Sequence, residues 1–444
     1  LKESGFASHE KVEGVPMKRS GVIRVGIFDQ IVSGGGVRLF TTKLLEEFSR
    51  QSKGHWHFHL MWPHFDSSNN FLPRLRLPYT SFERIASGVA LTREERITLG
   101  LHEIVERVNG NKMLRGRALE KFRQRVAKFR AIEQEHFRKG TGAGLRWLDE
   151  RTANFDLIFI PYPYQTLPNV SAWQPQKPVV ITLHDLAHEF TDAWGEATMP
   201  LRREMREWTR LANLVVFSSD YVKHEAEKIY ELDAERTRRI YLSPPDESRS
   251  RLSPQAMLRR YGLQENYIFT IGWAAKHKRV ETIIEGFALF KKRTKRDVAL
   301  VIAGPRTETL LSENLHGLKV GEDVFALGYV RDEEIGALYE NAALVVTASI
   351  SEAGLNSMIF DAMTKQRAIV CSNIPQFTER LGTDDAFAIM FDPHSPESLC
   401  EALEKHFENP QEAESRILKA KTFVAARTLA DVGRDYLAAF ESVL

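Results

Sequence analysis

ALVVTASISEAGLNSMIFDAM, residues Ala343–Met363, begins as an apolar run of strand length and ends in a helix-period pattern, with small residues, Glu352 and Gly354 between them. The spacing predicts strand, tight loop, helix. In a parallel α/β sheet such a loop lies at the carboxyl ends of the strands. The new helix there turns its unpaired N–H groups and positive dipole end toward the crevice, which suits a phosphate-bearing ligand. After Gly354 and Leu355, Asn356 and Ser357 fall at capping or first-turn positions. Glu352 is the charged side chain suited to meet hydroxyls rather than phosphate.

The same rhythm recurs on either side. VIRVGIF (Val22–Phe28) reads as a buried first strand, followed by a loop with Gly34, Gly35 and Gly36 and a helical pattern from Arg38 to Arg50. Consecutive glycines at a helix start let backbone approach a ligand closely. His55–Trp62 alternates as a strand. From Asp156 come DLIFIP, then PVVITLHDLAHEF, a helix near Leu201–Ala212, and NLVVFSSDYV with Ser218 and Ser219 as caps. The strand Val179–Leu183 delivers His184 and Asp185 to a sheet edge. His184 and His188 are four apart, which aligns metal ligands only on a helix, so a metal pair is the weaker reading beside a structural or an active-site histidine. Pro244–Pro254 is polar and rich in breakers, as a linker is.

Residues 80–150 depart from this rhythm. Thr92–Phe137 is helical in pattern, broken near Asn109–Asn111 and stopped at Gly140–Gly144. Between Lys112 and Lys139 lie ten Lys or Arg against three Glu, with Leu114, Leu119, Phe122, Val126, Phe129 and Ile132 as an apolar set. Two readings are open: a solvated basic face, or a surface for an anionic membrane or a lipid-linked acceptor. Nucleic acid is not an expected partner, since no recognition module accompanies the charge.

A chain of 444 residues is too long for one ordinary core, and 43% hydrophobic with 27% charged residues describes a globular protein of two domains. No apolar run approaches the roughly 20 residues of a membrane span. Two cysteines, Cys371 and Cys400, are too few for a disulfide framework and agree with a reducing compartment. Residues 1–20 show no periodicity and read as a disordered tail or a leader before a start at Met17.

Together with AIVCSNIPQFTERLG (Ala368–Gly382) and FDPHSPESLCEAL (Phe391–Leu403), the opening stretch resembles the signature region of retaining, nucleotide-sugar-dependent glycosyltransferases of family 4. The resemblance covers most of residues 22–444 apart from one insertion. It implies the α/β GT-B fold: two Rossmann-like domains facing a central cleft, with a helical insertion in the N-terminal domain. The boundaries it implies are an acceptor-side domain at 21–245 with its insertion at 80–150, a linker at 246–265, a nucleotide-sugar domain at 266–430, and a helix at 431–444 crossing back.

The family motif is Glu, seven residues, Glu. Glu352 takes the first place, whose role is to bind donor-sugar hydroxyls; Phe360 takes the second, with Asp361, next along, left for the ribose. An HD pair puts His184, with Asp185, beside the donor sugar and the reacting centre. Where the family has Gly-Arg, four residues, Lys to clamp the diphosphate, Gly272 and Lys278 match and Trp273 replaces the Arg, leaving Lys276 or Arg279 as the second cation. Gly304 and Pro305 match a family turn, and backbone near Tyr329 and Val330 meets the nucleobase. The implied activity is retaining transfer of a sugar from a nucleotide-diphosphate sugar to a glycan or lipid-linked acceptor in bacterial surface polysaccharide synthesis, such as lipopolysaccharide. No metal and no cofactor are expected, because cations and helix dipoles can serve the leaving group. The implied place is the cytoplasm, with peripheral attachment to the inner membrane face. Trp273 and Phe360 keep a second reading open, a non-catalytic GT-B protein that binds a nucleotide or glycan. A phosphorylase-like enzyme of the same architecture is disfavoured, as no lysine motif suits pyridoxal phosphate.

Overall fold

The fold comes from a computed structural model, which describes residues 21–28, 36–63, 77–85, 150, 152–163, 170, 173–191, 198–244, 253–272, 276–304, 307, 317–319 and 321–444. The chain divides into two compact units, Leu1–Ile181 with Leu211–Asn213 and Phe440–Leu444, and Thr182–Arg210 with Leu214–Ala439.

In the first unit, β1 (Ile23–Phe28) is followed by α1 (Gly36–Gln51), β2 (Trp56–Pro63), β3 (Thr80–Ile85), β4 (Leu157–Ile160) and β5 (Val179–Leu183). The strands are parallel, with β1 between β2 and β4 (Ile23 opposite Trp56, Val25 opposite Leu157). Alternation along β2 sorts its two faces. Trp56 and Phe58 stack, and Phe48 of α1 packs on Phe58 at 4.8 Å between ring centroids. His57 and His59, on the other face, both meet the Ser81 hydroxyl, at 2.9 and 2.6 Å. The expected helical insertion at 80–150 needs a correction at its start. Residues 80–85 are β3, paired in register with β2 (Phe58 opposite Thr80, Leu60 opposite Phe82), a pairing that local periodicity does not reveal. The basic stretch Lys112–Lys139 lies outside the described residues.

The second unit continues from the end of β5 through α2 (Ala187–Phe190), α3 (Thr198–Leu211), β6 (Leu214–Phe217), α4 (Asp220–Tyr230) and β7 (Thr237–Arg239), giving a seven-stranded order β3-β2-β1-β4-β5-β6-β7. Next come α5 (Pro254–Tyr261), β8 (Tyr267–Ile271), α6 (Val280–Thr294), β9 (Leu300–Ala303), β10 (Val324–Gly328), α7 (Asp332–Asn341) and β11 (Ala342–Thr347). They are followed by α8 (Ser357–Thr364), β12 (Ala368–Ser372), α9 (Pro375–Leu381), β13 (Ile389–Phe391), α10 (Pro396–Glu408), α11 (Pro410–Ala425) and α12 (Leu429–Glu441). The second sheet runs β10-β9-β8-β11-β12-β13, with β9 and β12 buried throughout, β8 and β11 nearly so, and the edge strand β10 half-buried. Both sheets are Rossmann-like, with strand order reversing beside β1 and beside β8. Such switch points are where ligands bind, at the carboxyl ends of the strands.

Caps written in the sequence set the helix ends. Ser219 accepts from the Val222 N–H, Ser253 from Ala256 with Pro254 in the first turn, and Ser395 from Ser398. The stretch expected as linker, 246–265, contains α5, whose Met257 is fully buried in the second core. Residues 182–210 and 214–244 group with the C-terminal half, and specific contacts tie them there. The Glu379 carboxylate accepts the N–H groups of Asp220 and Tyr221, both at 2.8 Å. The Arg239 and Arg380 guanidiniums lie over the Tyr241 ring at 3.9 and 4.4 Å, and Arg427 donates to the Tyr241 carbonyl. Along α12, the Tyr436 hydroxyl meets Thr182 at 2.9 Å, and Phe440 packs on the rings of Phe48, Trp56 and Phe159.

Candidate active site

The carboxyl ends of β8 and β11, the switch point of the second sheet, build the site. Gly272 closes β8 with its N–H on the Ala303 carbonyl at 3.0 Å. A Cβ there would stand 2.3 Å from Val280 Cγ2, and one on Gly304 would stand 2.6 Å from the Gly272 carbonyl oxygen, so these strand ends and the start of α6 meet through bare backbone. A short 3₁₀ turn, Lys276–Lys278, follows, and the Ile350 N–H on the His277 carbonyl at 2.9 Å ties it to the loop after β11. Arg279 caps α6 with a left-handed backbone, φ 49°, and its buried Nε has no hydrogen-bond partner among the described residues.

Across this turn Lys278 Nζ donates to Glu352 Oε1 at 2.5 Å. The same oxygen accepts from Asn356 Nδ2 at 3.0 Å, while Asn356 Oδ1 caps α8 by accepting the Ile359 N–H at 3.0 Å. Burial would raise the Glu352 pKa, but the charge and hydrogen bond of Lys278, with Ser349 and Asn356, hold it below the ordinary carboxylate range. Glu352 is therefore an ionised acceptor in a buried place.

His184 and Asp185 leave the end of β5 in the same unit. The buried His184 ring places Nδ1 3.3 Å from the Ser218 hydroxyl. Gly354 presses on the Ser218 carbonyl, where an added Cβ would come within 2.9 Å. Asp185 Oδ1 accepts the Ala187 N–H at 2.9 Å. Burial raises the Asp185 pKa; the Ala187 N–H opposes this, the Glu352 charge adds to it, and Lys278 reduces it. The structure thus groups His184, Asp185, Lys278, Glu352, Gly354 and Asn356.

Other candidates fall elsewhere. His188 is fully buried with Nε2 2.8 Å from the Tyr230 hydroxyl, which itself donates to Glu189 at 2.9 Å. The ring must therefore donate, and burial with Arg202 pushes its pKa down to about 4. Among the described residues no group of three or more His, Cys, Asp or Glu is arranged to hold a metal ion. Phe360 is in the core, and Asp361 faces Tyr339 and Lys365, with burial pushing its pKa up to about 7. Leu355 and Val330 are core side chains, Ser357 opens α8 exposed, and Tyr329 is 62% exposed. Gly36 opens α1 in the first unit. Gly35, Trp273 and Pro305 lie outside the described residues, as does the side chain of Lys276. Sequence reading missed Ser349 as a Glu352 partner and Ser218 as the contact of both His184 and Gly354, because neither contact leaves a local periodic signal.

The family model for glycosyl transferases group 1 matches residues 259–423, and that for glycosyltransferase family 4 matches residues 112–242. The chain belongs to these GT-B glycosyltransferases. The serotype-specific mannosyltransferase WbdA of Escherichia coli is 28% identical over 171 residues, 37% of this chain. The matched part is only 20% of WbdA's length. Among solved structures, Anabaena Alr3699/HepE in complex with UDP and glucose superposes with a TM-score of 0.65 at 15% identity, over 95% of this chain and 100% of that one. Sucrose-phosphate synthase from Thermosynechococcus elongatus gives 0.62 at 15% identity, over 95% and 100%. At such identities these GT-B neighbours speak for the fold. No helix among the described residues is long and apolar enough to cross a membrane.

Proposed function

We propose that the protein transfers a sugar, with retention of configuration, from a nucleotide-diphosphate sugar to a glycan or lipid-linked acceptor. The observation that carries this reading is the Lys278–Glu352–Asn356 group at a Rossmann switch point: a cation for phosphate, an ionised acceptor for hydroxyls, and a capped helix start between strands of one sheet. Family membership supports it, as do the UDP and glucose held by HepE and the mannosyl transfer named for WbdA.

Departure of the nucleoside diphosphate leaves charge on phosphate and oxocarbenium character on the sugar. Lys278 and the N-terminus of α8 stabilise the first by electrostatics already in place. Glu352 orients the sugar, since an oxygen already holding two donors suits hydroxyls better than attack on carbon. The acceptor then enters on the face the diphosphate leaves, and the leaving phosphate takes its proton. His184 and Asp185 line the reacting centre. Lys278 and the helix dipole supply the charge a metal would otherwise bring. Residues 112–139 hold the protein at an anionic membrane beside its acceptor.

The burial of Phe360 and the turn of Asp361 toward Tyr339 favour a second reading, binding without turnover, since neither then offers a carboxylate to a ribose. A screen of UDP-, GDP- and ADP-sugars for thermal stabilisation and slow donor hydrolysis separates the two. Stabilisation with hydrolysis supports transfer; stabilisation with no turnover, even with varied acceptors, favours binding alone. Co-sedimentation with anionic and neutral liposomes tests the membrane element. Salt-sensitive, anionic-only binding should be lost when Arg115, Lys121, Arg125 and Lys128 become Glu.

A further inference from the structure

The two charged groups assigned to opposite ends of the donor are bound to each other. We propose that the Lys278–Glu352 pair is an internal competitor, selecting nucleotide sugar over nucleoside diphosphate and helping to expel the diphosphate product. The inference rests on the donor-binding reading above and concerns the order of affinities within that site.

The Glu352 side chain is 11% exposed and the Lys278 side chain 29% exposed, so the carboxylate depends on protein donors while the ammonium also reaches water. When a phosphate draws Lys278 Nζ away, Glu352 keeps Asn356 and Ser349 but loses the cation that offsets its charge. An ionised carboxylate left buried without its counter-charge is costly, more so with the Asp185 charge nearby. Sugar hydroxyls donate into the freed oxygen and offset that loss. A nucleoside diphosphate carries nothing to put there. Lys278 therefore moves to phosphate at low cost only when the sugar arrives with it. Once the sugar has left with the acceptor, Glu352 takes Lys278 back and the diphosphate loses its cation.

If the pair were only a structural salt bridge, removing the Glu352 charge would lower stability and leave nucleotide affinity alone. The test is calorimetric titration of UDP, GDP and ADP into wild type, Glu352→Gln and Glu352→Asp, with melting curves for each. Glu352→Asp keeps the charge but draws it back by one methylene, so it guards against misfolding of the amide variant. Expected is nucleoside diphosphate binding tightened about ten-fold in Glu352→Gln and by less in Glu352→Asp, with transfer reduced in both. Unchanged or weaker diphosphate binding in a folded variant overturns the inference while leaving the donor reading intact. Failure of all three nucleotides to bind wild type and a folded Glu352→Gln alike overturns the donor reading, and the inference with it.

Discussion

Lys278 carries the heaviest electrostatic demand on the donor side, since it is the described cation aimed at the Glu352 end of the site. Lys278→Ala should lower turnover about 10²-fold or more, as for loss of one preorganised charge-stabilising donor. Its melting temperature should fall as well, because the buried Glu352 carboxylate is left without its counter-charge. Steady-state transfer with a saturating acceptor, beside a melting curve, checks both parts. Near-normal turnover would shift the role to Arg279, whose buried Nε has no hydrogen-bond partner among the described residues, or to Lys276. Glu352 and Lys278 were readable as candidates from their places in strand–loop–helix junctions. Their bond to each other was not, because 74 residues separate them and no local pattern records which charge meets which.

Between β8 and α6 the chain relies on the missing side chain of Gly272, and the turn bearing Lys278 depends on that close approach. Gly272→Ala would force its methyl to within 2.3 Å of Val280 Cγ2 at the buried first turn of α6. Overpacking of this kind costs about 1–3 kcal/mol and should displace the turn, reducing donor affinity and melting temperature together. Adding Val280→Ala should recover part of both, and a double-mutant comparison by melting and nucleotide titration measures the recovery. A second packed junction is the start of α4, held by Glu379. Glu379→Gln leaves one oxygen to accept where two did, so one N–H of Asp220 or Tyr221 loses its partner, at about 1.5–3 kcal/mol in thermal melts. Junctions like these show what the sequence could and could not disclose. Apolar runs and caps such as Ser219 and Asn356 marked strands and helix starts correctly, because both signals are local. β3 was read as the edge of a helical insertion because its six residues, TSFERI, gain their order from pairing with β2. The helix α5 went unseen in a breaker-rich stretch because Met257 is held by the distant core.

Buried titratable groups are spread across both sheets and pull the pH dependence of stability in opposite senses. Burial raises Asp185 and Asp361, which therefore favour the folded state as pH falls, while His57, His188, His277 and His406 are lowered and oppose it. His406, at the end of α10, isolates one of these contributions away from the donor site. Burial, with the Arg416 and Arg296 charges, pushes it down to about 4. An unfolded imidazole titrates near 6.5, so between those values the unfolded chain binds more protons and stability is lost as pH falls. Above about 6.5 the contribution is fully present; by pH 5 it should have lost on the order of 2 kcal/mol. His406→Gln removes that titration without adding charge. Melting temperatures from pH 7.5 to 5 should therefore fall more steeply for wild type than for the variant, by a few degrees at about 2–4 °C per kcal/mol in the 150–250-residue range. Because the comparison is a difference, Asp185, Asp361 and the other histidines cancel from it. Parallel curves would mean that His406 holds the same proton in the folded and unfolded chains, and that its surroundings do not discriminate between imidazole and imidazolium.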